Sequence, residues 1–168
     1  EAGINTFDTA AAYGKGHSER ILGAALFGVR TRVVLATKVF ANCLKFDQII
    51  DSCHQSLKNL KTDYIDILQL HNPPSVPRPG GEDGVYEGVL EAKEQGKIRF
   101  IGFTNHRLNL ALEAVASNLY DTMQFPLSSL SSDEDVKLIE ECKQHDIGVI
   151  AMKALSGGLI TNVATTFT

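Results

Sequence analysis

The chain has 168 residues, 43% of them hydrophobic and 21% charged, with a net charge of -4. That is enough for one globular domain with a core. The acidic balance, with no basic cluster to offset it, argues against a nucleic-acid partner, whose phosphate backbone needs a basic face. No apolar run approaches the ~20 residues that cross a bilayer, which argues against a membrane partner. Cys43, Cys53 and Cys142 have no metal-like spacing and read as reduced thiols, so no metal site and a cytoplasmic location are expected.

Short β-rich apolar runs alternate along the chain with longer amphipathic ones. Strands are expected at Ile4–Asp8, Val33–Val39, Tyr64–His71, Ile98–Asn105, Thr122–Pro126 and Gly148–Lys153. Helices are expected at Ser18–Leu26, Phe46–Leu60, Val85–Glu94, Leu108–Ser117 and Asp133–His145. Ile49, Ile50, Cys53, Leu57 and Leu60 form one apolar stripe at helical spacing. Ser131 with Glu134, or Ser132 with Asp135, forms a capping box before Val136. Gly96 and Gly148 read as helix-stop residues.

The strands are mostly apolar rather than alternating, which suits a parallel sheet covered by helices. Repeated βα units leave an open doubly wound sheet or a closed barrel, and periodicity does not choose between them. The polar residues do. Asp8, Lys38, His71, Asn105, Gln124 and Lys153 all fall at or near strand C-termini. In a parallel (β/α)8 TIM barrel these ends converge on one mouth, so the barrel is favoured. Six strands are two short of closure. The chain also starts on Glu, and Glu1-Ala2-Gly3 and Leu159–Thr168 look like a helix tail and a loop entering a helix. Residues 1–168 are therefore expected to be one partial barrel domain of about six βα units, strands 2 to 7, truncated at both ends. Its first and last strands would be open edges.

Asp8, Tyr13, Lys38 and His71 make a chemical set. A lysine ammonium ~4 Å from a phenolate stabilises it by ~4 kcal/mol at an effective dielectric of ~20. An aspartate keeps that lysine charged and aimed. A neutral histidine can donate a hydrogen bond to a carbonyl oxygen and orient it. Together they form a proton donor tuned for an oxyanion.

The order of these residues is similar to that of the aldo-keto reductase superfamily. The resemblance is carried by Gly3-Ile4-Asn5-Thr6-Phe7-Asp8-Thr9-Ala10 with Tyr13-Gly14, by Leu35-Ala36-Thr37-Lys38, by Ser56 to Asp66 leading to His71, and by Gly96 to Gly102. It implies a (β/α)8 barrel that binds NADP(H) and reduces aldehydes or ketones, small-molecule carbonyl substrates. Under it Tyr13 is the proton donor, Lys38 and Asp8 activate it, and His71 orients the carbonyl. Thr104, Asn105 and Gln124 would hold the nicotinamide carboxamide. Met152 stands where the family usually has an aromatic that covers the nicotinamide. Leu155, Ser156 and Gly157 would line the pyrophosphate, and Lys153 could add charge. The contacts that select NADP over NAD would lie beyond Thr168, so NAD(H) stays open as the cofactor.

Gly14-Lys15-Gly16 lacks the third glycine of a dinucleotide fingerprint and reads as a flexible turn. The Pro- and Gly-rich Asn72–Gly84 follows His71 and is either a pocket wall or a plain connection. Gln124-Phe125-Pro126 and the run from Met152 to Asn162 resemble a bacterial subgroup, some members of which carry an iron–sulfur module after the barrel; these residues do not supply its cysteines. Two other functions compete. One is a non-catalytic nicotinamide-binding regulatory subunit of the same fold. The other is a barrel lyase with Lys38 as Schiff-base nucleophile. Oligomeric state is not written in the sequence.

Overall fold

The computed structural model describes residues 3–40, 43 and 45–160. Strands and helices alternate as β1 (Thr6–Asp8), α1 (His17–Ala25), β2 (Val34–Val39), α2 (Phe46–Leu60), β3 (Ile65–His71), α3 (Val85–Glu94), β4 (Ile98–Thr104), α4 (Leu108–Ser117), β5 (Thr122–Pro126), α5 (Asp133–Gln144) and β6 (Gly148–Met152). Each corresponds to an element expected from sequence, with ends shifted by two residues at most. Two short 3-10 turns, Arg30–Arg32 and Ser156–Gly158, were not anticipated. The expectations for Glu1, Ala2 and residues 161–168 lie outside the described residues. Packing divides the chain into two compact units, 1–102 and 103–168.

In the first unit β1 pairs parallel with β2, from Thr6 opposite Val34 to Asp8 opposite Ala36. β2 pairs parallel with β3, with Lys38 opposite Gln69. All of β3 from Ile65 to Leu70 is buried, as in a sheet covered on both faces. α2 contributes Ile49, Cys53, Ser56, Leu57 and Leu60 to the core. The expected stripe is therefore present, except that Ile50 is only half-buried.

Two buried polar clusters and one close backbone approach tie these elements together. Glu19 on α1 is fully buried and accepts hydrogen bonds from Thr37 Oγ1 (2.7 Å) and Asn59 Nδ2 (2.9 Å). This joins α1 to β2 and to α2 through neutral donors. Asp66 on β3 takes Arg30 Nη2 at 2.8 Å, Arg99 Nη1 at 2.9 Å and the Leu35 amide at 2.9 Å. Arg30 also stacks 3.9 Å over the Tyr64 ring. Gly23 makes the third tie by having no side chain. A Cβ there would sit 2.5 Å from the Leu60 carbonyl carbon, so α1 and α2 approach through bare backbone.

In the second unit β5 and β6 pair parallel, from Thr122 opposite Gly148 to Pro126 opposite Met152. Phe103, at the end of β4, packs on Tyr120 with ring centroids 5.1 Å apart. α5 starts with a full capping box in which Ser132 accepts from the Asp135 amide and Asp135 accepts from the Ser132 amide. Of the two boxes the sequence allowed, this is the one formed. Gly96 is left-handed after α3 (φ 69°), as expected. Gly148 is not a helix stop but the first residue of β6. The left-handed turn after α5 falls on Asp146 (φ 56°), a residue whose short polar side chain tolerates that region.

Two substitutions test this packing. Asp66→Ala strands the mostly buried Arg30 guanidinium without its carboxylate and is expected to cost about 3–5 kcal/mol in a denaturant melt. Gly23→Ala forces α1 off α2 and is expected to cost about 1–3 kcal/mol in the same measurement.

Candidate active site

The loop after β1 is held to β2 by its own backbone. Thr9 donates its amide to Ala36 O (3.0 Å) and Ala11 donates to Lys38 O (3.3 Å), which extends the ladder past Asp8. Thr9 Oγ1 bonds Ser18 Oγ at 2.8 Å, anchoring the same loop to α1. Tyr13 is then fixed between two turns. Its amide donates to Ala10 O, and its carbonyl accepts from the Ser18 amide. Gly14, Lys15 and Gly16 follow, all left-handed, with Gly16 as the N-cap of α1. The Gly-Lys-Gly run is thus a left-handed turn that launches a helix behind Tyr13.

Five side chains meet at the end of the first unit's strands. Lys38 is 2% exposed, and its Nζ donates to Asp8 Oδ2 (2.5 Å) and to Thr9 O (2.8 Å). The other carboxylate oxygen, Asp8 Oδ1, accepts from Gln69 Nε2 at 2.9 Å. The Lys38 ammonium also lies 5.2 Å from the centre of the Tyr13 ring. His71 meets that ring edge-on, with centroids 6.2 Å apart at 84°. Tyr13 itself is 46% exposed. A groove of roughly 420 Å³ runs alongside, lined by Asp8, Tyr13, His17 and Ile21 among others. A larger hollow of roughly 650 Å³, at Gly23, Leu60 and Tyr64, shares no residue with this cluster.

The second unit gathers a different set. Thr104 at the end of β4, Asn105 just after it and Gln124 in the middle of β5 are buried. The Asn105 amide donates to Gln124 O (3.3 Å), and Asn105 Oδ1 accepts from the Arg107 amide (3.0 Å), an Asx-type turn. Met152 closes β6, half-buried, and Lys153 just beyond it is exposed and left-handed (φ 56°). Leu155 and Gly157 are exposed, and Ser156 shares a 2.6 Å hydrogen bond with Ser128. Burial, followed by the Lys153 charge, holds the His106 imidazole below its ordinary pKa.

The sequence profile of the Aldo/keto reductase family matches residues 1–166. The chain belongs to the aldo/keto reductase family. It is 34% identical to the Bacillus subtilis aldo-keto reductase YhdN, over 98% of this chain and 52% of that protein. It is 36% identical to the Escherichia coli methylglyoxal reductase YeaE, over 93% of this chain and 55% of that protein. A crystal structure of a Klebsiella pneumoniae aldo-keto reductase in complex with NADPH superposes with a TM-score of 0.82 at 28% identity, covering 95% of this chain and 56% of that one. The chain thus spans about half the length of the relatives it matches. Its fold is that of the (β/α)8 barrel, of which it carries six consecutive strands.

Within this aldo/keto reductase, Asp8, Tyr13, Lys38 and His71 come together in the first unit. In the second, Thr104 and Met152 end β4 and β6, Asn105 and Lys153 follow them, and Gln124 lies in the middle of β5, with Leu155 before and Ser156 and Gly157 in the 3-10 turn. Sequence reading missed Gln69, Thr9 and Glu19. Gln69 left one signal, a polar residue inside the otherwise apolar Ile67-Leu68-Gln69-Leu70. Thr9 acts through its carbonyl, which any residue has. Among the described residues no helix is long and apolar enough to cross a membrane.

The ion pair predicts unequal effects on stability. Asp8→Ala leaves a buried ammonium facing one carbonyl and is expected to cost about 3 kcal/mol. Lys38→Met removes the buried charge itself. Asp8 keeps a side chain 32% exposed and can recruit water, so this change is expected to cost under about 1 kcal/mol. Thermal melts of both variants check the difference.

Proposed function

We propose that the protein is an NADP(H)-dependent carbonyl reductase in which Tyr13 donates the proton. The observation that carries this is the buried Lys38 ammonium, clamped by Asp8 and set 5.2 Å from the Tyr13 ring. A fixed cation beside a phenol stabilises the phenolate left behind when the proton departs. His71, against the same ring, is the group to orient a carbonyl oxygen toward the hydroxyl. Tyr13's exposure lets solvent reprotonate it after each turnover.

The second unit's polar set fits a nicotinamide in kind. A carboxamide needs both donors and acceptors, and buried hydroxyl and amide side chains at Thr104, Asn105 and Gln124 offer both. Met152 would cover the ring by dispersion where the family usually stacks an aromatic. Gly157, in the 3-10 turn, would meet the pyrophosphate through its backbone amide, with Leu155 and Ser156 at its edge and Lys153 adding charge. The Klebsiella structures bound to NADPH and to NADP with acetate support NADP(H) as the cofactor. When bound, it supplies a hydride for the carbonyl carbon. Tyr13 gives its hydroxyl proton to the oxygen, the product is an alcohol, and the Tyr13 phenolate regains its proton from water. Aldehydes and ketones are the substrate class, a reading supported by relatives named methylglyoxal reductase.

The geometry counts against a Schiff-base lyase. An amine nucleophile needs a free lone pair, whereas Lys38 Nζ is an ammonium donating to a carboxylate and a carbonyl.

The test uses the protein as its gene encodes it. Tyr13→Phe is expected to lower kcat for carbonyl reduction by about 10²–10⁴-fold, with the NADPH Kd, followed by cofactor fluorescence, held within about twofold. Unchanged turnover in this variant would sink the mechanism. NADPH binding without reduction across a carbonyl panel would favour the regulatory subunit instead.

A further inference from the structure

We infer that Gln69 is a positioning residue for this reaction, acting through Asp8; the inference rests on the reductase reading above. Register places it there. Asp8 pairs with Ala36, two residues before Lys38, and Lys38 pairs with Gln69, two residues before His71. Side chains alternate along a strand, so Asp8, Lys38, Gln69 and His71 all stand on one face of three adjacent parallel strands.

Gln69 is fully buried, and its Nε2 donates to Asp8 Oδ1 at 2.9 Å. Chemistry sets the amide's orientation, because its oxygen turned the other way would face a carboxylate. The Asp8 carboxylate is therefore pinned at both oxygens, by Gln69 on one and Lys38 on the other. Without the Gln69 donor the Asp8 carboxylate, whose side chain is 32% exposed, has more freedom to turn toward solvent. Any such turn changes the direction in which it draws the Lys38 ammonium, which Thr9 O also holds beside the Tyr13 ring.

A purely structural role explains Gln69 poorly. Among the described residues its Oε1 has no hydrogen-bond partner, and a buried acceptor left unmade costs stability. Methionine would fill nearly the same volume without that cost. What methionine lacks is the donor to Asp8.

This predicts an unusual pair of effects. Gln69→Met is expected to melt at or above the wild-type temperature while kcat falls about tenfold, the loss of one hydrogen bond to a charged group, with the KM for NADPH unchanged. Gln69→Glu adds a titration. Burial and the Asp8 charge raise the new carboxyl above its ordinary ~4.3. Below the raised value it is protonated and still donates to Asp8, so kcat stays near wild type. Above it the two carboxylates repel, and kcat falls on a limb that wild type lacks. The folded state holds this proton more tightly than the unfolded chain. The melting temperature of Gln69→Glu should therefore drop below wild type increasingly as pH rises above about 4.3. That readout tests the contact with Asp8 without any turnover.

Three results would overturn the inference: wild-type kcat in Gln69→Met, a kcat loss matched by an equal loss of stability, or a Gln69→Glu pH profile parallel to wild type. Wild-type protein that binds NADPH but reduces no carbonyl would instead sink the reductase reading, and this role with it.

Discussion

Lys38 is an ammonium buried in the face of a parallel sheet, and much of the first unit is arranged to make that possible. An ion of that size is not tolerated out of water unless it meets an opposite charge and acceptors for its protons. Asp8 supplies the charge, and Asp8 and the Thr9 carbonyl supply the acceptors. Both belong to the end of β1 and the residue after it, so the requirement fixes the β1–β2 register. A slip of one residue would turn Lys38 to the opposite face and lose both contacts. The Thr9 and Ala11 amides continue the ladder just far enough to present that carbonyl. Tyr13 then follows within one tight turn. The position of the phenol is in this sense a consequence of the ion pair.

The other buried charges of the unit do different work. Asp66 joins β3 to the arginines that flank β2 and begin β4, and it also caps the Leu35 amide. Most of its hydrogen-bonding capacity is satisfied within the fold, by partners from well-separated parts of the chain. Glu19 is satisfied by neutral donors alone. The Asp66 carboxylate is buried near the start of β3, although its partner Arg99 is exposed, and Glu19 is buried under α1. The Asp8–Lys38 pair is open on one side, toward an exposed phenol. In barrels of this kind, strand starts serve stability and active sites are built at strand ends.

The second unit is stabilised in a more local way. α5 begins with its capping box and three acidic residues in its first turn, where they face the positive end of the helix dipole. The run after β6 has positive φ at Lys153, Ser156, Gly157 and Gly158. It turns the chain sharply and is held by its own backbone, with the Ser156 and Gly158 amides donating to the Lys153 and Leu155 carbonyls.

By itself the sequence determined the alternation of elements and pointed to Asp8, Lys38 and His71 at or near strand ends, with Tyr13 in the loop after the first. Apolar spacing and caps act within a few residues, so they are readable in order. The α2 stripe and the six strands come from such local rules. Asp8, Tyr13, Lys38 and His71 were legible because polar side chains at the ends of apolar runs stand out, and because their order is similar to a known family's. Tertiary structure decided which partner each buried polar group takes. Glu19 looks like a solvated helix acid, Gln69 like an odd residue in a strand, and Gly148 like a helix stop until the fold closes around them. Those outcomes depend on strand register and helix approach. Both are settled by burying surface between segments far apart in the chain, which no local pattern encodes.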